Sequence, residues 1–268
     1  EMCIRDSLHR GGRGTRRDRR ADRTVEPVKR CPVHRIKIEY GSAPSQYGHL
    51  YHAADPADLP AVVRPVVLIH GGYWTTEFGL TIESAIARRY AERGALVWNI
   101  EYRRIGEPGG GWPNSLTDVV AALTALDEQA RNALPDEVAR VVDWSSVGVV
   151  GHSAGGQLAV AAVARLGART AKTRITTVVA QSAALDLVGA GKAGRPSVRA
   201  FLGADYADAP QRYRDASPLE APVFDAHVVA VHGDKDTAIP VAVSRHYVEA
   251  VTARGPVSYT HLRAHETV

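Results

Sequence analysis

Three short stretches hold the residue types that acyl chemistry needs. The first is GHSAGG, residues 151–156, which sets Ser153 between glycines after the apolar run SVGVVG and before AGGQLAVAAVARLG. A serine hydroxyl is a weak nucleophile until a neighbouring base takes its proton. The G-x-S-x-G pattern has meaning where a strand turns sharply into a helix and exposes the serine at the end of a sheet. Small flanking residues suit such a turn, because strand and helix pass too close for side chains. The helix N-terminus beside Ser153 adds a positive pole for developing negative charge. The plain alternative is a tight glycine turn without chemistry.

The second stretch is HGGYW, residues 70–74, at the end of the apolar run VVLIH. The backbone N–H groups of Gly71, Gly72 and Tyr73 are candidate donors to the oxyanion of a tetrahedral intermediate, and that of Ala154, the residue after the serine, is the other. An ordinary strand-to-helix turn is the bland reading. The third stretch, VHGDKDTAIP, residues 231–240, ends a strand and presents Asp234 and Asp236 on a loop, where a carboxylate can orient a histidine. Asp236 is the candidate acid and Asp234 a solvated or turn-forming residue. Trp74 and Trp112, with Tyr73, are candidates for pocket walls, and Trp112 serves equally well as a filler between sheet and helix. Asp186 and Gln181 follow a strand near the site without a definable role. Two cysteines, Cys3 and Cys31, give neither a disulfide framework nor metal-ligand spacing, so no metal is expected.

In this order and separation, HGGYW, GHSAGGQLA and HGDKDTAIP resemble the α/β-hydrolase superfamily, within the esterases, lipases and formamidases whose oxyanion loop begins His-Gly-Gly. The likeness covers roughly residues 35–255. It implies a cofactor-free serine hydrolase in which Ser153 attacks an acyl carbon, an acyl-enzyme forms and water releases the acid. A small-molecule ester or amide is the implied substrate. Carboxylic esters of small or medium acyl groups are the first expectation. HGGYW is similar to kynurenine formamidase-like enzymes, which makes N-formyl amides the alternative.

The order Ser, then Asp, calls for a histidine beyond one more helix and strand, on the order of 25–35 residues past Asp236. His261 and His265 fall in that window, yet VSYTHLRAHETV has neither the apolar run nor the turn glycine of a last strand. Read back through the genetic code, VSYTHLRAHET and the opening EMCIRDS resemble translated sequencing-adapter DNA. The expectation is a chain truncated before its last strand and without its catalytic histidine, hence a poorly active fragment. Residues 1–24 read as a non-native or disordered leader, 25–256 as the hydrolase domain and 257–268 as a non-native tail. His246, inside a helical stretch, and His152, the variable residue of the turn, are weak substitutes for the base.

The elements that must position these residues follow from periodicity. RIKIEYG (35–41) alternates apolar and polar and reads as a half-buried strand, with GHLYHA (48–53) to pair with it. VVLIH (66–70), ALVWNIEY (95–102), SVGVVG (146–151), ITTVVAQ (175–181) and HVVAVHG (227–233) are continuous aliphatic runs, the mark of strands covered on both faces. Helical stretches lie between them at 81–94, 115–134, 154–167 and 240–255, the second with Ser115 as a cap and Asp118 close to a capping box. The alternation predicts an α/β fold, a mainly parallel sheet with helices on both faces. Segment 182–222 breaks the rhythm and reads as a lid-like insertion at the carboxyl ends of the strands, where ligands bind in such sheets.

The 268 residues suit one large domain. No apolar run approaches the roughly 20 residues of a membrane span. No apolar signal segment follows the N-terminal arginines, so the sequence reads as cytoplasmic. The net charge is +4, but the excess sits in RGGRGTRRDRRADR, residues 10–23, while residues 25–256 carry equal numbers of basic and acidic side chains. That run lacks aromatic residues and a folded motif beside it, so a nucleic-acid partner is not expected.

Overall fold

The computed structural model describes residues 32–254, together with the backbone of a strand at 259–264. Among the described residues eight strands form one sheet: β1 (Val33–Glu39), β2 (Tyr47–Ala53), β3 (Pro65–Ile69), β4 (Leu96–Ile100), β5 (Val147–His152), β6 (Ile175–Gln181), β7 (His227–Gly233) and β8 (Tyr259–Ala264). Their spatial order is β1-β2-β4-β3-β5-β6-β7-β8. The pairs β1/β2 and β2/β4 are antiparallel, and every pair from β4/β3 onward is parallel. The expected runs thus become strands within a residue or two of their expected ends.

Parallel neighbours require crossovers, and the helices supply them. They are α1 (Ser84–Ala91), α2 (Asn114–Thr124), α3 (Gln129–Asn132), α4 (Asp136–Ala139), α5 (Ala154–Leu166), α6 (Leu187–Lys192), α7 (Pro196–Leu202), α8 (Pro210–Ala216) and α9 (Val241–Thr252). Side chains alternate across a strand, so β3 sends Val67 and Ile69 to one face and Leu68 to the other. Val67 and Ile69 join the main core with residues of α2 and α5. Leu68 packs with Ala87 and Ala91 of α1 and with Val97. β4 is buried along its whole length, and the Trp98 indole N–H donates to Ala122 O of α2 at 2.9 Å. Each large side chain buried in this way contributes about 1.5–3 kcal/mol. Among the described residues no helix is long and apolar enough to cross a membrane.

Three local expectations are corrected. Ser115 does not cap α2, which begins at Asn114; its hydroxyl donates back to Arg103 O and Gly111 O. Asp118 makes no capping box, because its buried carboxylate is taken bidentately by the Arg103 guanidinium at 2.7 and 2.8 Å and also by Gln46. The stretch 115–134 is not one helix: at Asp127 it breaks, and that carboxylate accepts the Thr170 and Thr173 hydroxyls and the N–H groups of Ala171 and Lys172. A side chain that satisfies a distant loop in this way outweighs continuation of the helix.

The C-terminus differs too. Tyr259–Ala264 pairs in parallel with β7, from Val228 opposite Tyr259 to Gly233 opposite Ala264, and α9 packs against both strands. A strand therefore stands at 259–264, within the tail that the sequence reading took as non-native, and α9 is the helix expected at 240–255. The free edge of β7 offers main-chain donors and acceptors, and pairing with them does not demand an apolar run. His261 stands in β8 opposite Ala230. His265 and the leader, residues 1–24, lie outside the described residues.

Candidate active site

β5 runs into Ser153 and α5 begins at the next residue, so one residue makes the whole turn. Ser153 takes φ 51° and ψ −116°, a left-handed region that costs a non-glycine residue energy and persists only where packing enforces it. Its N–H donates to Gln181 O of β6 at 2.8 Å, and its carbonyl accepts from Gln157 N. The close passage is most severe at Gly155, where a Cβ would stand 2.2 Å from Ile69 O and 2.3 Å from His70 O. The serine turn and the His-Gly-Gly loop therefore touch through bare backbone. Gly71 shows the same contact from the other side: its Cβ would lie 2.8 Å from His152 O and 3.2 Å from Ser153 Cβ.

Beyond Gly71 the loop passes through three consecutive left-handed residues, Gly72 (φ 110°), Tyr73 (φ 53°) and Trp74 (φ 59°). A buried polar cluster that sequence reasoning did not single out holds it there. The fully buried His70 ring places Nε2 2.6 Å from Glu101 Oε1 and Nδ1 2.8 Å from Gly71 O. The Tyr102 ring stacks on it at 4.5 Å, and the Tyr102 hydroxyl donates to His70 O. Glu101 also accepts from Leu80 N and Tyr102 N, and its Oε2 lies 3.1 Å from the Arg104 guanidinium. The signal available in the sequence was an acidic residue near the end of the mostly apolar run ALVWNIEY.

Trp74 is buried. Its indole N–H donates to Gln157 Oε1 at 3.1 Å, and its ring stacks at 4.3 Å on Phe201 of α7. Trp112 stands behind Phe201, edge-on at 6.1 Å, and lines a separate groove with Leu116 and Ala161. It is not part of the wall around Ser153, because Phe201 fills the space between. Of the two aromatic wall candidates beside Tyr73, the structure therefore brings Trp74 to the serine and leaves Trp112 outside.

Asp236 lies on the loop after β7. One carboxylate oxygen accepts from Ala238 N and Ile239 N, each at 2.9 Å. Burial on its own would raise this carboxyl's pKa. The two N–H groups, the Ser182 hydroxyl and nearby His232 outweigh that and hold it below the usual carboxylate range. His232 is fully buried and 3.4 Å from Asp236. Its ring nitrogens are engaged by Ile239 O and the Ser244 hydroxyl, so it braces the loop and is not free to reach a substrate. Asp234 is exposed, as is His246 on α9. His152 is exposed beside the serine turn.

Ser153, Ala154, Tyr73 and Trp74 face a cavity of about 310 Å³ whose opposite wall includes Ala238, Ile239 and Pro240 of the Asp236 loop. Residues 184–198, from the segment expected to act as a lid, form another wall. A serine at a strained turn, backbone groups from two loops and an ionised carboxylate behind the neighbouring loop are the parts that acyl transfer uses.

The BD-FAE family model matches residues 54–251 of this sequence. The chain belongs to the BD-FAE family. The BD-FAE match takes in the serine turn, the His-Gly-Gly loop and the Asp236 loop together. Esterase LipC of Mycobacterium tuberculosis is 29% identical over 255 residues, covering 86% of this chain and 58% of LipC. Esterase LipQ of the same organism is 27% identical over 256 residues, covering 88% of this chain and 57% of LipQ. The chain thus spans less than three-fifths of the length of these curated relatives. Among solved structures, a truncated form of a carbohydrate esterase from gut microbiota superposes with TM-score 0.71 at 18% identity over 87% of both chains. A phosphonate-inhibited form of esterase B from Lactobacillus rhamnosis superposes with TM-score 0.68 at 19% identity, over 87% of this chain and 75% of that one. These likenesses establish the fold of this BD-FAE chain as that of the α/β-hydrolases.

Proposed function

We propose that this protein is a serine carboxylesterase acting on esters of small or medium acyl groups. The observation that carries the reading is Ser153, held left-handed at the strand-to-helix turn, against the bare backbone of Gly71, in the wall of a cavity. Ser153 Oγ forms a bond to the acyl carbon as its proton passes to a base. The N–H groups of Ala154 and of the Gly71–Gly72–Tyr73 backbone receive the oxyanion. The carbon–oxygen bond to the alcohol then breaks, the alcohol leaves with the proton, and water resolves the acyl-enzyme by the same steps. Asp236, its pKa lowered by its N–H donors, is the carboxylate available to orient a base. No histidine is assigned to that role. A cavity of about 310 Å³ is at the small end of ligand sites, which favours short and medium substrates over long acyl chains.

The test is turnover of p-nitrophenyl acetate and butyrate by the full chain and by Ser153→Ala, with N-formylkynurenine as the competing amide. The esters should be cleaved and Ser153→Ala should lower that turnover, by about 10³-fold or more where a base serves Ser153 and by less where none does. Turnover that survives the substitution overturns the role of Ser153, and preference for the formamide overturns the ester assignment.

A further inference from the structure

The wall of the Ser153 cavity is apolar except for a few hydroxyl and indole groups and two charges, Asp186 and Arg195. Both come from the segment after β6. Asp186 has a structural role, since it precedes α6 and its Oδ1 accepts from Gly189 N at 2.7 Å. Arg195 has none. Its backbone N–H donates to Ala190 O, but among the described residues its guanidinium makes neither a side-chain hydrogen bond nor an ion pair. It also precedes α7, whose first residues already present a positive pole, so a cation there is of the wrong sign for helix stability. Arg195 is exposed, and a guanidinium at the cavity's rim that serves no fold contact and works against its own helix is open to a partner from outside. Planar, always charged and rich in donors, it matches the paired oxygens of a carboxylate.

We propose that Arg195 is a specificity-determining residue that receives a carboxylate carried by the substrate. This rests on the esterase reading above and narrows it to esters whose acyl or alcohol part ends in an anionic carboxylate. Residues 25–256 are neutral in sum, so no broad positive field would draw anions in. The preference depends on one local charge, with Asp186 in the same lining as the opposing one.

Binding tests this without requiring turnover. The full chain is titrated calorimetrically with 4-hydroxybenzoate and with its neutral counterpart 4-hydroxybenzamide, which differ in the anionic group. The carboxylate should bind about fivefold or more tighter, and the ratio should shrink between about 0.05 and 0.5 M salt. Arg195→Gln should bring the ratio close to one. Asp186→Asn keeps a good cap while removing the opposing charge, and should raise the ratio a few-fold. Equal affinity in the unaltered chain, a preference that survives Arg195→Gln, or no heat with either ligand overturns the proposal. None of these outcomes bears on Ser153, and an inert Ser153 would leave the binding ratio unchanged, so the two readings fail separately.

Discussion

Removing the Glu101 carboxylate should loosen the oxyanion loop and destabilise the whole domain. In Glu101→Ala the fully buried His70 loses its 2.6 Å partner, and Leu80 N and Tyr102 N lose their acceptors. Arg104 keeps Glu107 and Phe78 O, so its loss is partial. Breaking a buried, hydrogen-bonded charge cluster from one side costs about 3–5 kcal/mol. For a domain of this size that corresponds to a fall in Tm of roughly 6–20 °C. Glu101→Gln retains the shape and one acceptor and should lose about 1–2 kcal/mol. Urea and thermal unfolding followed by circular dichroism measure both. A loss below about 1 kcal/mol for Ala, or equal losses for Ala and Gln, would refute the claim that this carboxylate anchors His70.

Gly155→Ala puts a methyl group into the backbone carbonyls of Ile69 and His70, neither of which can move without shifting β3; overpacking of this kind costs about 1–3 kcal/mol, and ester turnover should fall with it. A variant as stable and active as the parent would mean that the two loops are not in backbone contact. Asp236 gives a pH signature. Its folded pKa lies below its unfolded value, so its contribution is fully present above the unfolded pKa of about 3.9 and is lost as pH falls through the lowered folded value. The stability gap between the parent and Asp236→Asn should therefore be constant near neutrality and close on acidification below about pH 5. A gap that does not change down to about pH 3 contradicts the stabilising contacts assigned to this carboxylate.

Much of the frame was legible because its causes are local. Aliphatic runs such as VVLIH and ITTVVAQ can satisfy both faces only inside a sheet, and they became β3 and β6. The glycines around Ser153 and after His70 mark close backbone approach in contiguous residues, so the two loops could be recognised before their contact was seen. Contacts between distant segments were not legible. Nothing in the sequence ties Glu101 to His70, Gln157 to Trp74 or Phe201 to the loop after β3, since each pair meets only through the fold. Trp112 illustrates the limit: its position in the chain does not reveal that Phe201 stands between it and the cavity. Ser115 and Asp118 had the types and spacing of a cap, but Arg103, brought in by the end of β4, claimed the carboxylate instead. The pairing of Tyr259–Ala264 was missed because main-chain bonds to the edge of β7 hold it, and an apolar pattern does not report them.

The central claim is that Ser153 is the nucleophile, and covalent trapping tests it most directly. The folded full chain is exposed for a prolonged period to a fluorophosphonate probe, and the adduct is located by peptide mass spectrometry. Prolonged exposure matters because no histidine is assigned as the base, and a serine hydroxyl without one is a weak nucleophile that reacts slowly. One adduct is expected, on Ser153, and it should be absent from Ser153→Ala. An unchanged mass in a sample that is folded by circular dichroism, or an adduct that persists in the variant, would contradict the claim.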